Sequence, residues 1–301
     1  MRILQTFIVI FSLIICSGFA LARSDIKVGD KYETSVRIKH DSGDRDIVPL
    51  PPGVWEVLHT RIWRNNNNNV IFGIFLIQTV DKVLSNIVWI RFNREMAQYG
   101  WVADRTCDRD NLHHAKVYEN INQGNVDCYV VNHRRVTLQG SKWGWVNKMG
   151  EKLISRGISW GNHHLSTMVR FNDGSDYLKI YYEINPATYG FENFPRTSWN
   201  GSPWHPDAID GFPRRKQFVK AFKDWAKRAH RKARLGWKND ETASTGLPAF
   251  VSRAVNRPTK AVNPTNGHEE LLKKIKSLLE AGVLTEEEAA AKRKAVLDKM
   301  N

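Results

Sequence analysis

VIFGIFLIQT, residues 70–79, most narrows what this chain can fold into. Apart from Gly73, Gln78 and Thr79 it is wholly apolar, and most of its side chains are β-branched or aromatic. Such a run suits a strand buried on both faces. Residues 86–93 after it, with Trp89 and Phe92, follow the same rule, and residues 55–63 before it read as a further strand. Three neighbouring strands with short connections predict an antiparallel meander. Alternation along 55–63 places Trp55, Val57 and His59 on one face and Leu58, Thr60 and Ile62 on the other. Residues 65–69 are all asparagine. Asparagine tolerates left-handed backbone, so this run reads as a hairpin loop; an amide ladder for sugar is the functional alternative.

Upstream, residues 32–38 alternate loosely, and the prolines of 47–53 exclude helix there. Downstream, Val146, Met149 and Leu153 predict a helix over 143–154, with Gly157 as its stop. Residues 165–171 and 177–184 read as a hairpin turning at Asp173-Gly174. The turn lacks the further ligands and closing Glu of an EF-hand, so it is not read as a calcium loop. Residues 185–213 are irregular and rich in proline, with Tyr189, Phe191, Phe194, Trp199 and Trp204 interleaved. The aromatics of 189–204 either pack an ordered strap or line a groove for sugar or peptide.

The charge is lopsided, with 45 Lys and Arg against 31 Asp and Glu, a net +14. That favours acidic partners such as an anionic membrane surface or a polyanionic envelope polymer; nothing predicts a specific nucleic acid. Residues 214–237 carry much of the excess. Phe218, Phe222, Trp225, Ala229 and Ala233 fall at helical intervals, and Gly236 reads as the residue ending the helix. Two readings compete. Either the cations form a solvated face, or Lys223, Lys227, Arg228, Arg231 and Lys232 contact a polyanion.

Arg2, the apolar run 3–15 and Ala20-Leu21-Ala22 have the order of a secretory signal peptide, residues 1–22, and predict a periplasmic or secreted protein. An uncleaved anchor is the alternative. Cys16 leaves with the signal. Cys107 and Cys128 remain, and an oxidising compartment predicts a disulfide between them. The adjacent pairs His113-His114 and His163-His164, with Asp108 and Asp110, come with no H-E-x-x-H, nucleophile elbow, Walker loop or zinc spacing. No catalytic, metal or cofactor site is therefore expected. A deep pocket lined by His163, His164, Trp199 or His205 would revive an enzymatic reading.

Residues 238–266 lose apolar periodicity and read as a flexible linker. Beyond them Leu271, Leu272, Ile275, Leu278 and Leu279 share a helical face, and Gly282 stops that helix. Thr285 and Glu288 then form a capping box. Gly282, Val283-Leu284, Thr285, Glu286-Glu287-Glu288, Lys292-Arg293 and Val296-Leu297 closely resemble the SHOCT, or short C-terminal, family over about residues 267–299. Ala289 stands where an aromatic is common in that family. The resemblance implies a two-helix hairpin for oligomerisation or partner docking. Its apolar seam would comprise Leu271, Ile275, Leu278, Gly282 and Val296.

The expected class is therefore α+β: a β-rich antiparallel body (23–237) with a few helices, a flexible linker (238–266) and a C-terminal two-helix hairpin (267–301). The function expected first is that of an exported, non-enzymatic protein that associates with itself or a protein partner through the hairpin. The alternative is an envelope protein holding anionic lipid or polymer through the helix 214–237. A carbohydrate- or peptide-acting enzyme is the distant third.

Overall fold

The structure, a computed structural model, describes residues 26–40, 45–95, 97, 100–194, 198–250, 276, 279 and 285–297. The signal segment with Cys16, and Leu271, Ile275, Leu278 and Gly282 of the expected seam, lie outside the described residues. Val296 falls in a described helix, but its side chain lies outside them as well. The chain divides into two compact units, Met1–Ala254 and Val255–Asn301.

The first unit is an antiparallel β body with helices, the α+β class expected. Its strands are β1 (Lys31–Tyr32), β2 (Ser35–Lys39), β3 (Arg45–Pro49), β4 (Trp55–Arg64), β5 (Val70–Val80) and β6 (Val83–Asn93). β7 (His114–Asn120), β8 (Asn125–Arg135), β9 (Ser159–Trp160), β10 (His163–Asp173) and β11 (Tyr177–Ile184) follow. Helix α1 spans Gly144–Ser155 and α2 spans Pro213–Trp237. The main sheet runs β1-β4-β5-β6-β11-β10-β8-β7, with β9 parallel to β6 and a separate β2–β3 hairpin. The meander β4-β5-β6 is as expected. Strands β7 and β8 lie where no strand was expected, and β8 sits inside the sheet carrying Cys128.

In β4 the register shifts between Val57 and His59, which pair with Leu76 and Phe75 respectively. Adjacent partners face opposite ways, so Val57 and His59 lie on opposite faces rather than sharing one. Leu58 is thereby buried on the face of Phe75, opposite Val57.

One face of the sheet is apolar and covered. Phe72, Ile74 and Leu76 of β5 register with Phe92, Ile90 and Val88 of β6, then with Leu178, Ile180 and Tyr182 of β11. Against this face pack α2 and the β2–β3 hairpin. The Tyr182 hydroxyl donates to Pro49 O at 3.0 Å, and the Tyr182 ring meets Trp225 edge-on. Phe218, Phe222, Trp225, Ala229 and Ala233 are all buried, as the spacing requires. Gly236 does not end the helix. It lies inside α2, where a β-carbon would stand 1.8 Å from Ile47 O. The glycine is there because helix and strand touch backbone to backbone.

Residues 238–250, expected as the start of a flexible linker, belong to the body. Leu247 N donates to Leu50 O at 2.8 Å, Arg37 pairs with Glu241, and Phe250 packs on Phe218, Phe222 and Tyr189. Their polar composition conceals a few apolar anchors that pack on the body.

The opposite face is covered in part. At one end Met149 and Leu153 of α1 close a core over Leu58, Phe75, Ile77 and Ile87. At the other the Cys107–Cys128 disulfide, Cα atoms 6.3 Å apart, ties the 101–112 segment onto Val126, Val130 and Met168. The pair fits an oxidising compartment. No helix among the described residues is long and apolar enough to cross a membrane.

In the second unit, α3 spans Glu286–Leu297. Thr285 N donates to Glu288 Oε2 at 3.1 Å and Glu288 N donates to Thr285 Oγ1 at 3.2 Å. That reciprocal pair is the capping box expected at these residues.

Candidate functional site

Between α1 and the 101–112 segment the partly covered face holds a cleft of about 500 Å³. Its floor is built from side chains two apart on neighbouring strands, which alternation turns to one face. Trp89 and Arg91 come from β6, Tyr181 from β11, Ser166 and Met168 from β10, and Asn132 and Arg134 from β8. Arg109 and Trp199 close the rim from loops. Trp199 thus places one member of the aromatic strap at a groove. Its neighbours Phe191 and Trp204 are buried in packing instead.

The cleft is rich in guanidinium groups and its two nearby carboxylates are already engaged. Glu183 is buried and ion-paired with Arg134. Asp104 is buried between Lys179 at 2.5 Å and Arg170 at 3.0 Å. Burial alone would raise the Asp104 carboxyl, but Lys179 and Arg170 outweigh it and hold it far below the usual carboxylate range.

Arg91 is different. Its guanidinium lies 3.4 Å from the Trp89 ring centre, 5.4 Å from Tyr181 and 5.7 Å from Trp63. Its Nε is buried without a hydrogen-bond partner, and no carboxylate among the described residues pairs with it. An unsatisfied buried donor costs about 1–3 kcal/mol. Cation–π contact returns part of that. Tyr181 reports the resulting field. Burial would raise its phenol, yet Lys179, Arg91 and Arg134 together hold it below the ordinary value. The cleft therefore favours negative charge.

Three buried histidines add no charge near neutral pH. Burial pushes His133 and His113 down to about 4, and His164 to about 3. Both ring nitrogens of His164 are buried without a hydrogen-bond partner, and Glu183 Oε2 is 3.7 Å from its Nδ1. His163 Nδ1 meets Ser202 Oγ at 3.2 Å, but Ser202 is buried and its oxygen also accepts from Trp204 N. His163, His164 and His205 do not line the cleft; His133 and Trp199 do. Among the described residues no group of His, Cys, Asp and Glu is arranged to hold a metal ion.

The cations expected on the basic helix form a second surface, on the other side of the sheet. Lys227, Arg228 and Arg231 are exposed, and Lys223 and Lys232 are half-buried. Burial, then Lys223, Lys116 and Lys227, hold His114 of β7 below its ordinary value, so helix and edge strand share one positive field.

The reading from sequence missed the cleft. A signal was present: Arg61-Ile62-Trp63, Trp89-Ile90-Arg91 and Lys179-Ile180-Tyr181 each put a cation and an aromatic two residues apart inside an apolar strand. No protein-family model matches the chain, and a search of curated proteins finds no match.

Proposed function

We propose that this protein is a non-enzymatic, exported binding protein that holds an anionic ligand in the arginine–aromatic cleft. The observation that carries the reading is Arg91: a half-buried guanidinium among three rings, with no carboxylate partner among the described residues. A ligand carboxylate there would gain a charge-assisted bond in a site of reduced dielectric. The C-terminal segment serves as the docking element its SHOCT resemblance implies; the reciprocal bonds of Thr285 and Glu288 support that. Changing Leu278→Asp then lowers the oligomeric mass or releases a captured partner.

A second reading rests on the positive field shared by α2 and β7, which favours an anionic membrane or envelope polymer at Lys223, Lys227, Arg228, Arg231 and Lys232. Titration calorimetry of the full chain with polygalacturonate, a carboxylated glycan, separates the two. On the first reading binding weakens with salt, and Arg91→Gln reduces affinity about tenfold, the equivalent of roughly 1.4 kcal/mol. Binding that survives Arg91→Gln but is lost when Lys227 and Arg231 become Gln moves the site to α2.

A further inference from the structure

The cleft does not end at β6. Arg91 also reaches the Trp63 ring at 5.7 Å, and Arg61 lies 5.4 Å from that same ring. In the other direction Arg134 lies 5.6 Å from Trp89 and 6.0 Å from Tyr181. Guanidinium groups and rings therefore form one row, Arg61, Trp63, Arg91, Trp89, Tyr181, Arg134, from β4 across the sheet to β8. Linked through these contacts, the guanidinium groups at the two ends, Arg61 and Arg134, stand no more than about 20 Å apart.

A glycine keeps the row continuous. Gly73 sits on β5 opposite both Arg61 and Arg91. A β-carbon there would stand 2.8 Å from the Trp63 ring and 3.4 Å from Trp89 Nε1. Its backbone φ is not in the left-handed region, so no turn explains it. Glycine inside a strand weakens the strand, and a close approach is the usual reason to find one. Here it lets the Trp63 indole lie over β5 and meet Arg91.

Resting on the reading of the cleft as an anion site, we infer that its ligand is a chain of acidic sugars laid across the strands. Arg61 and Arg91 each offer a cation within about 3–6 Å of a ring, while Arg134, at the far end, is already paired with Glu183. A uronic acid matches this spacing because its carboxylate is attached to the same ring whose C–H face stacks on an aromatic. In a nucleic acid the stacking base and the phosphate are separated by a sugar, so charge and ring face fall further apart. Every ring in the row is half-buried, with part of its surface left for a ligand.

The test is calorimetry of the full chain at low salt with oligogalacturonates from dimer to octamer. Affinity should climb with length by about tenfold or more, as each added contact of roughly 1.4 kcal/mol would give. Arg61→Gln, and separately Trp63→Ala, should lower the octamer-to-dimer affinity ratio. Dimer and octamer binding equally tightly would overturn the chain proposal while the cleft reading stands. No binding of any oligogalacturonate would overturn both. Single-stranded oligothymidylate binding more tightly than the octamer would assign the row to nucleic acid instead.

Discussion

Gly236→Ala separates two explanations of one residue, because they predict opposite signs. Alanine is a better helix former than glycine by about 1 kcal/mol, so helix propensity alone makes the variant more stable. The structure says otherwise. The new methyl would sit 1.8 Å from Ile47 O, 2.9 Å from Ile47 C and 3.2 Å from Ala243 Cβ. Ordinary non-bonded contacts are about 3.5 Å or more, so the end of α2 must retreat from β3 by roughly 1.5 Å. Neither neighbour yields easily. Ile47 is fixed in the β2–β3 ladder and Ala243 in a short turn capped by Asp240. A gap of 0.5–1 Å already forfeits about a quarter to a half of each dispersion contact it opens. Overpacking of this kind costs about 1–3 kcal/mol, enough to reverse the propensity gain.

Urea denaturation followed by tryptophan fluorescence measures the difference, with Gly144→Ala in α1 as the control. Nothing lies within 4 Å of a β-carbon at Gly144. The control should be unchanged or slightly more stable, and Gly236→Ala less stable by the overpacking cost. If Gly236→Ala is as stable as the wild type or more so, the backbone contact between α2 and β3 is wrong.

Burial depresses His164 to about 3, and His133 and His113 to about 4, whereas unfolded histidine titrates near 6.5. The unfolded chain therefore takes up protons that the fold refuses, and stability should fall as pH drops from about 6.5 towards 4. His164→Asn should flatten that slope, and equal stability at both ends of the range would contradict the burial. Reducing the Cys107–Cys128 bridge, which spans 21 residues, should cost about 3 kcal/mol, and thiol titration of the denatured, unreduced chain should find no free thiol. A chain ending at Asp240 should lose stability because Leu247 and Phe250 pack on the body, whereas one ending at Ala254 should melt near the full-length temperature. Indistinguishable melting of the two truncations would refute the packing of residues 241–250.

The strands that could be read from sequence are those whose pattern stands without their neighbours. Residues 70–79 are apolar on both faces because the sheet is covered above by α2 and partly below by α1. Asp173-Gly174 marks its turn by chemistry alone. β7 and β8 escaped because a two-faced pattern blurs them. β8 carries Cys128, Val130 and Arg134 on one face, and Tyr129 and Val131 on the other. β7 is an edge strand with mostly exposed side chains, including Lys116, Val117 and Tyr118. In β4 a single inserted residue reversed the faces beyond Val57, and nothing local announces a bulge. Gly236 and Gly73 are of one kind: each glycine answers to a neighbour distant in the chain, so neither can be explained from its own segment.

The same distinction explains why the charge first drew attention to α2, on the other side of the sheet from the cleft. The cations of α2 are contiguous in sequence, and they are mostly exposed, where each is worth little because water and salt screen it. Those of the row, Arg61 on β4, Arg91 on β6 and Arg134 on β8, lie about 30 or more residues apart, so no short window of sequence contains two of them. Only the register brings them together: β4 on β5, β5 on β6, β6 on β11, β11 on β10 and β10 on β8. Once there, half-buried among indole and phenol rings, an arginine acts through a lower dielectric than a lysine on an open helix face. The net charge of +14 therefore says little about where an anion binds tightly. Added salt should weaken association at α2 more steeply than at Arg91, and equal salt slopes for Arg91→Gln and for the Lys227→Gln, Arg231→Gln pair would show that the cleft gives its cations no such advantage.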